Sequence, residues 1–220
     1  MKKKKVIHTI SVFKIRRKWT NLVKNMAESQ ISIVLASESP RRKTMLRELG
    51  IPFKSFHSGI DETLRFANPE KAVRDLALRK VSAYKRKNDL VIGMDSMVII
   101  GKNKLGKPAN AAEAERMLKL LSGKKHRVIT GVAISFQDRI VTESETTFVY
   151  FRKLKLQEIR WYVKSGEAFD KAGAYAIQGL GRVFIKKIEG CYYNVLGFPI
   201  DAFQRTLSRF GLNIHDLMNS

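Results

Sequence analysis

The most concentrated chemistry in the sequence is Ser37-Glu38-Ser39-Pro40-Arg41-Arg42, two hydroxyls and two guanidiniums within six residues. An apolar strand, Ile31 to Ala36, runs into it. Ser39-Pro40 then opens a helix, Ser as N-cap and Pro at the first helical position. A helix N-terminus presents unpaired N–H groups and a partial positive charge. Arginine adds a planar, permanently charged fork that matches phosphate oxygens. The plain alternative is a capped surface helix with solvated arginines. A P-loop is excluded, because its glycine spacing and Lys-Ser/Thr pair are missing.

Acids and lysines follow in three further stretches. Gly59-Ile60-Asp61-Glu62-Thr63 puts two adjacent carboxylates in a loop after a strand, a pair that is ordinarily solvated. Asp95 stands between the apolar strand runs Leu90–Gly93 and Met97–Ile100, where an acid is costly unless it is paired, binds metal or reacts. Lys80 lies four residues after Leu76 and seven after Val73, on the apolar stripe of a helix opened by Asn68-Pro69. It either snorkels to water or points into an anionic pocket. Lys107 sits in the rigid turn Leu105-Gly106-Lys107-Pro108, a setting that presents a side chain to a ligand. Gln178 belongs to the glycine-rich loop Tyr175–Gly181, where its amide either reads a base edge or is ordinary loop. Combined, the hydroxyls, two Arg and two Lys suit a polyphosphate, while Asp and Glu supply a metal ligand and a general base. No Ser-His or Cys-His pair stands out, which points to direct attack by water.

Alternating short strands and helices must position these residues. After the helix from Pro40, whose stripe is Met45, Leu46 and Leu49, Gly50 ends the segment. The second helix carries Val73, Leu76, Ala77, Val81 and Tyr84 at helical spacing. Ala112 to Leu121 is a helix closed by Ser122-Gly123. Arg127–Ser135 and Ile140–Phe151 form a long antiparallel pair joined at Gln137-Asp138-Arg139. A helix near Leu156–Ser165, a glycine-rich stretch, a strand at Val183–Ile188 and a helix from Pro199 to Phe210 complete the chain. The fold class is α/β with a mixed sheet.

Composition bounds the rest. The 220 residues are 44% hydrophobic and 28% charged, which excludes a disordered chain. No apolar run reaches the ~18 residues of a membrane span. The single cysteine, Cys191, excludes a disulfide framework and a cysteine zinc site. His8, His57, His126 and His215 offer no ligand pair at helical spacing, which argues against a zinc hydrolase. The net charge of +22 favours an anionic partner: nucleic acid, anionic lipid or a phosphorylated small molecule. Residues 1–30 hold nine basic side chains and one acid, Glu28. This extension reads as a transit peptide, a basic membrane-surface helix or a segment upstream of the true start. Met26, just before the first strand, is the expected functional start. The domain proper is expected over 31–220.

At these motifs the chain resembles the Maf family of nucleoside triphosphate pyrophosphatases, once named for inhibition of septum formation. The resemblance covers about residues 31–218 and rests on seven motifs in the family's order: LASESPRR, GIDET, VIGMDSMV, LGKP, LSGKKHRVITGVAI, GEAFDKAGAYAIQGLG and IEGCYYNVLGFPI. It implies an elongated, twisted mixed sheet flanked by helices, in two lobes, with the nucleotide site in the cleft between them. It also implies hydrolysis between the α and β phosphates with a divalent cation, Mg²⁺ or Mn²⁺. By position, Ser37, Ser39, Arg41 and Arg42 grip the triphosphate. Asp95 accepts the proton of the attacking water, Glu62 assists at the metal beside it, and Lys80 and Lys107 neutralise phosphate charge. Arg41, Ser96 and Gln178 fall where the family varies with base preference. Arg41 with Ile177-Gln178-Gly179 is similar to the branch acting on dTTP and UTP. Ser96 replaces that branch's usual Thr, Met94 replaces a small residue and is expected to tighten the pocket, and Cys191 is expected to be a buried thiol.

The expectation is therefore a cytoplasmic, metal-dependent pyrophosphatase of dTTP, UTP and modified pyrimidine triphosphates, a house-cleaning activity, working as a homodimer. One alternative is a nucleotide-binding regulator of cell division that acts through a partner. Another is a basic nucleic-acid-binding module. That module calls for aromatics interleaved with Lys and Arg on one strand face, and the sequence offers no such pattern.

Overall fold

The computed structural model describes residues 31–218, so the readings of residues 1–30, Met26 included, lie outside the described residues. The chain runs β1 (Ile33–Leu35), α1 (Pro40–Glu48), β2 (Lys54–Ser55), α2 (Pro69–Ser82), β3 (Leu90–Ile100), β4 (Asn103–Leu105) and α3 (Ala111–Leu121). It continues β5 (Lys125–Phe136), β6 (Arg139–Phe151), α4 (Leu156–Lys164), β7 (Ile185–Glu189), α5 (Tyr192–Val195), α6 (Ile200–Ser208) and α7 (Ile214–Met218). Two 3₁₀ segments, Ala172–Ala174 and Gly179–Phe184, precede β7. The strands form one mixed sheet in the order β2-β1-β3-β5-β6-β7, with β4 also on β3. β1 is parallel to β2 and β3, and the other pairings are antiparallel.

The two strands expected around Asp95 are one continuous strand of eleven residues, β3. Gly93, which reads as a strand end, is instead a contact point. A Cβ there would lie 2.7 Å from the Ala77 carbonyl oxygen, and one at Gly131 would lie 2.3 Å from that of Val73. The two glycines let α2 settle directly on β3 and β5. Asn68 caps α2, its Oδ1 accepting from the Lys71 N–H at 2.8 Å. Ser39 occupies the same position at α1, but its hydroxyl makes no capping bond.

Alternation along β3 sorts the interior. Leu90, Ile92 and Met94 join one core with Leu46, Phe198 and Phe203. Farther along the same face, Val98 and Ile100 join a second core with Leu118, Tyr162 and Phe184. Between them sits a polar layer of Ser96, Thr130 and Asn194, which divides that face into two lobes. The opposite face is covered by α2, whose Val73, Ala77 and Val81 pack on Val91, Ala133, Met97 and Ile99.

Several expected boundaries shift for local reasons. β5 begins at Lys125, two residues early, and its hairpin with β6 turns on Gln137 and Asp138, both left-handed at φ 48° and 61°. The strand expected from Val183 begins at Ile185, because Val183 and Phe184 still belong to the 3₁₀ segment. Tyr84 falls beyond the end of α2. The short α5 and α7 are too brief to show helical periodicity. Met94 is fully buried in the first core and does not tighten the cleft. Cys191 is half-buried rather than enclosed. A small strand face does mix aromatics and lysines, contrary to expectation: Lys125 Nζ lies 3.9 Å from the Phe148 ring centroid, and Lys187 Nζ lies 5.5 Å from that of Tyr150. The pattern is split over three strands, so it appears only when β5, β6 and β7 pair. Glu189 sits within it, bonded to Tyr150 and Lys187.

Candidate active site

β3 is longer than its neighbours along one edge. β1 pairs with its residues 90–92, and β4 with 98–100. Over residues 93–97 that edge has no strand partner among the described residues, and it opens on a cleft of about 970 Å³. β1 leaves the sheet here to enter α1, the kind of crevice at a strand's carboxyl end where α/β folds take ligands. Asp95 and Ser96 leave opposite faces of the strand, yet both reach the cleft because its edge is open. The cleft wall also includes residues 36–42, the loop around Glu62, Lys104–Lys107 and Asp170–Ala172, so both lobes contribute.

On the α2 side, Lys80 is 7% exposed and bridges two carboxylates. Its Nζ lies 2.6 Å from Asp95 Oδ1 and 2.9 Å from Glu62 Oε1. Burial pushes the Glu62 carboxyl up. The bond and charge of Lys80, with Lys107 and Arg42 behind it, outweigh that and hold it below its ordinary value. The neighbouring acid plays a different part, because Asp61 Oδ1 accepts from the Thr63 N–H at 2.9 Å and its hydroxyl at 2.7 Å. Arg79 then ties this turn to α2 through the Asp61 and Thr63 carbonyls. The sequence shows two equivalent acids, and the structure uses Asp61 to build the loop that delivers Glu62.

Asp95 and Glu62 each spend one oxygen on Lys80 and keep a second. Hard carboxylate oxygens in this number fit Mg²⁺ or Mn²⁺, which complete their shells with water and substrate phosphates. No group of three or more His, Cys, Asp or Glu gathers as a metal cage among the described residues. The residues therefore fit a cation shared with a ligand.

On the α1 side, Arg42 is 8% exposed and is held by three acceptors. Its Nε donates to the Gly197 carbonyl at 3.0 Å, Nη1 to Ser37 Oγ at 3.1 Å and Nη2 to Ser96 Oγ at 3.1 Å. Burial lowers its pKa, and the Asp95 charge opposes the shift. Two guanidinium N–H groups remain for a ligand, one on each terminal nitrogen. Arg41 reaches across the cleft to Asp170 at 3.4 Å. Ser39 and the exposed Lys107 also line the wall.

The structure thus brings together Ser37, Ser39, Arg41, Arg42, Glu62, Lys80, Asp95, Ser96 and Lys107. It does not bring Gln178 onto the same wall. That side chain is exposed and lines a smaller recess beside Arg41, Thr44 and Glu48. Asp170 and Lys171, on the cleft wall, were legible only as part of a motif with no assigned role. Thr130 faces Ser96 across β5, a relation that exists only once the strand register is known.

Residues 32–210 match the family described as Maf-like protein. A dTTP/UTP pyrophosphatase of Bacillus cereus (strain ATCC 10987 / NRS 248) is 45% identical over 195 residues, covering 87% of this chain and 96% of the relative. A dTTP/UTP pyrophosphatase of Bacillus anthracis is 46% identical over 185 residues, 83% of this chain and 97% of the relative. Among solved structures, the Ham1 protein of Staphylococcus aureus aligns over 86% of this chain and 96% of its own, with a TM-score of 0.43 and 14% identity.

Proposed function

The chain belongs to the Maf-like family, and on that premise we propose that it hydrolyses nucleoside triphosphates, dTTP and UTP above all, to the monophosphate and pyrophosphate. The observation that carries this reading is the pairing of Asp95 and Glu62 through Lys80, opposite the clamped Arg42, in one cleft.

A bound triphosphate places its oxygens against the free N–H groups of Arg42, with Arg41, Lys107, Ser37 and Ser39 beside them. These fixed donors act where negative charge concentrates on the leaving group. Asp95 takes a proton from a water whose oxygen attacks the α phosphorus. The bond from that phosphorus to the bridging oxygen breaks, and pyrophosphate leaves with the electron pair. Lys80 holds Asp95 and Glu62 close together. Glu62 and Asp95 would hold a divalent cation, Mg²⁺ or Mn²⁺, which when bound supplies further neutralisation of the phosphate oxygens. Ser96 and Gln178 complete the substrate contacts, Gln178 from the recess beyond Arg41. Modified pyrimidine triphosphates are included, in a house-cleaning role in the cytoplasm, and the working form is a homodimer.

The test is pyrophosphate release from a panel of triphosphates with Mg²⁺ or Mn²⁺. Turnover of dTTP and UTP ahead of purine triphosphates supports the reading. Activity on none of dTTP, UTP or their methylated forms overturns it.

A further inference from the structure

We propose that Thr130, which is fully buried behind the cleft wall, is a positioning residue for the triphosphate grip and acts through Ser96 on Arg42. The inference rests on the proposed hydrolysis and adds a residue to it. The Asn194 main-chain oxygen can only accept, so the Thr130 hydroxyl donates to it, over a long 3.4 Å. With its one proton so committed, Thr130 Oγ1 can only accept from Ser96, 2.9 Å away. The Ser96 proton is then spent as well, and its oxygen meets Arg42 Nη2 as an acceptor at 3.1 Å. The bonds run one way, from guanidinium through two hydroxyls to a carbonyl.

The far end of this chain does not move easily. Asn194 is fully buried, and its Nδ2 donates to the Val128 carbonyl at 3.0 Å and to Thr147 Oγ1 at 3.0 Å. The near end sets the guanidinium plane, because Gly197 and Ser37 hold the other two nitrogens. Without the Thr130 hydroxyl, the Ser96 O–H must find another acceptor. Its oxygen then rotates away from Arg42, and the two N–H groups left for phosphate lose their aim.

A double-mutant cycle in the full-length chain tests this. The readouts are the Kd of a non-hydrolysable α,β-methylene analogue of dUTP with Mg²⁺, and the KM and kcat for dTTP. Thr130→Val keeps the shape and removes the hydroxyl. It is expected to weaken analogue binding about 10-fold, the worth of a lost hydrogen bond to a charged group, and to raise KM more than it lowers kcat. Thr130→Ser is expected to stay within about 2-fold of the parent, since the bond survives. In a Ser96→Ala background, Thr130→Val is expected to add nothing further. Equal weakening by Thr130→Val in both backgrounds, or no weakening at all, overturns the inference. Should Thr130→Val fail to fold, Thr130→Ala, which also lacks the hydroxyl, enters the same cycle and is read the same way. A parent protein that neither binds the analogue nor hydrolyses dTTP overturns the proposed function and this inference together. A parent that binds but shows no coupling overturns only the inference.

Discussion

Two carboxylates that would repel each other are held together by Lys80, and that ammonium is itself almost out of water. Asp95 is the member best placed to take a proton, since it projects from a strand rather than from an exposed loop. Asp95→Asn is expected to lower kcat by about 10²–10⁴ while nucleotide binding persists, as for loss of a general base; pyrophosphate release and analogue binding, measured side by side, check it. His126 belongs to a different account. It is 2% exposed, with Nε2 2.7 Å from Tyr175 Oη and its ring edge-on to Phe151. Burial lowers its pKa from 6.5 to about 4. Above 6.5 the imidazole is neutral whether folded or unfolded, so its effect on stability is constant. Below that the unfolded chain gains the proton first, so stability falls as pH drops toward 4, by about 3 kcal/mol in all. Urea midpoints between pH 7.5 and 4.5 are expected to show this decline, and His126→Gln to flatten it. At this scale Asp95 was legible, because an acid inside an apolar run needs a reason. The division of labour between Asp61 and Glu62 was not, because hydrogen bonds in a turn leave no mark on residue type.

α2 carries Lys80, so how closely it lies on the sheet decides where the ammonium sits. Gly93 and Gly131 set that distance. Gly131→Ala would put a Cβ 2.3 Å from the Val73 carbonyl oxygen, against backbone that cannot turn aside. The helix must lift, at a cost of about 3 kcal/mol by analogy with overpacked cores. Urea unfolding is expected to report that loss. Activity is expected to fall as well, because lifting α2 draws Lys80 away from Asp95. The helix was readable from Asn68-Pro69 and the spacing of its apolar residues. Gly93 reads as a strand end, and Gly131 passes unmarked inside the expected strand Arg127–Ser135, whereas both mark the close approach of another element.

For the molecule as a whole, the +22 charge leaves nucleic acid open as one anionic partner beside lipid and phosphorylated small molecules. The mixed aromatic and lysine face on β5, β6 and β7 would be the surface for it. Glu189, however, lies 3.6 Å from Lys125 Nζ and is bonded to Lys187, so one of the two positive charges there is already offset. Random single-stranded DNA is expected to bind weakly, if at all, at about 0.15 M salt, where exposed charges are screened beyond ~8 Å. A gel shift showing tight binding with a steep salt dependence would instead support a nucleic-acid module. The α/β class was legible from alternating elements, but the two lobes came only with the family resemblance. The polar layer that separates them is built from Ser96, Thr130 and Asn194, which are far apart in sequence and unremarkable in type.

The stretch of β3 that is open along one edge ties folding accuracy to chemistry. Asp95 stands opposite Gly131 and Ser96 opposite Thr130. If β3 slipped by a single residue against β5, every side chain would change face. Slipped one way, Ser96 would arrive beneath Lys80 and Asp95 would take the place of Met94 opposite Val132, in the dry first core. Such a chain could still complete a ladder of backbone bonds and look folded to circular dichroism. Asp95 would no longer reach the cleft, so hydrolysis reports the strand register more sharply than any measure of secondary structure.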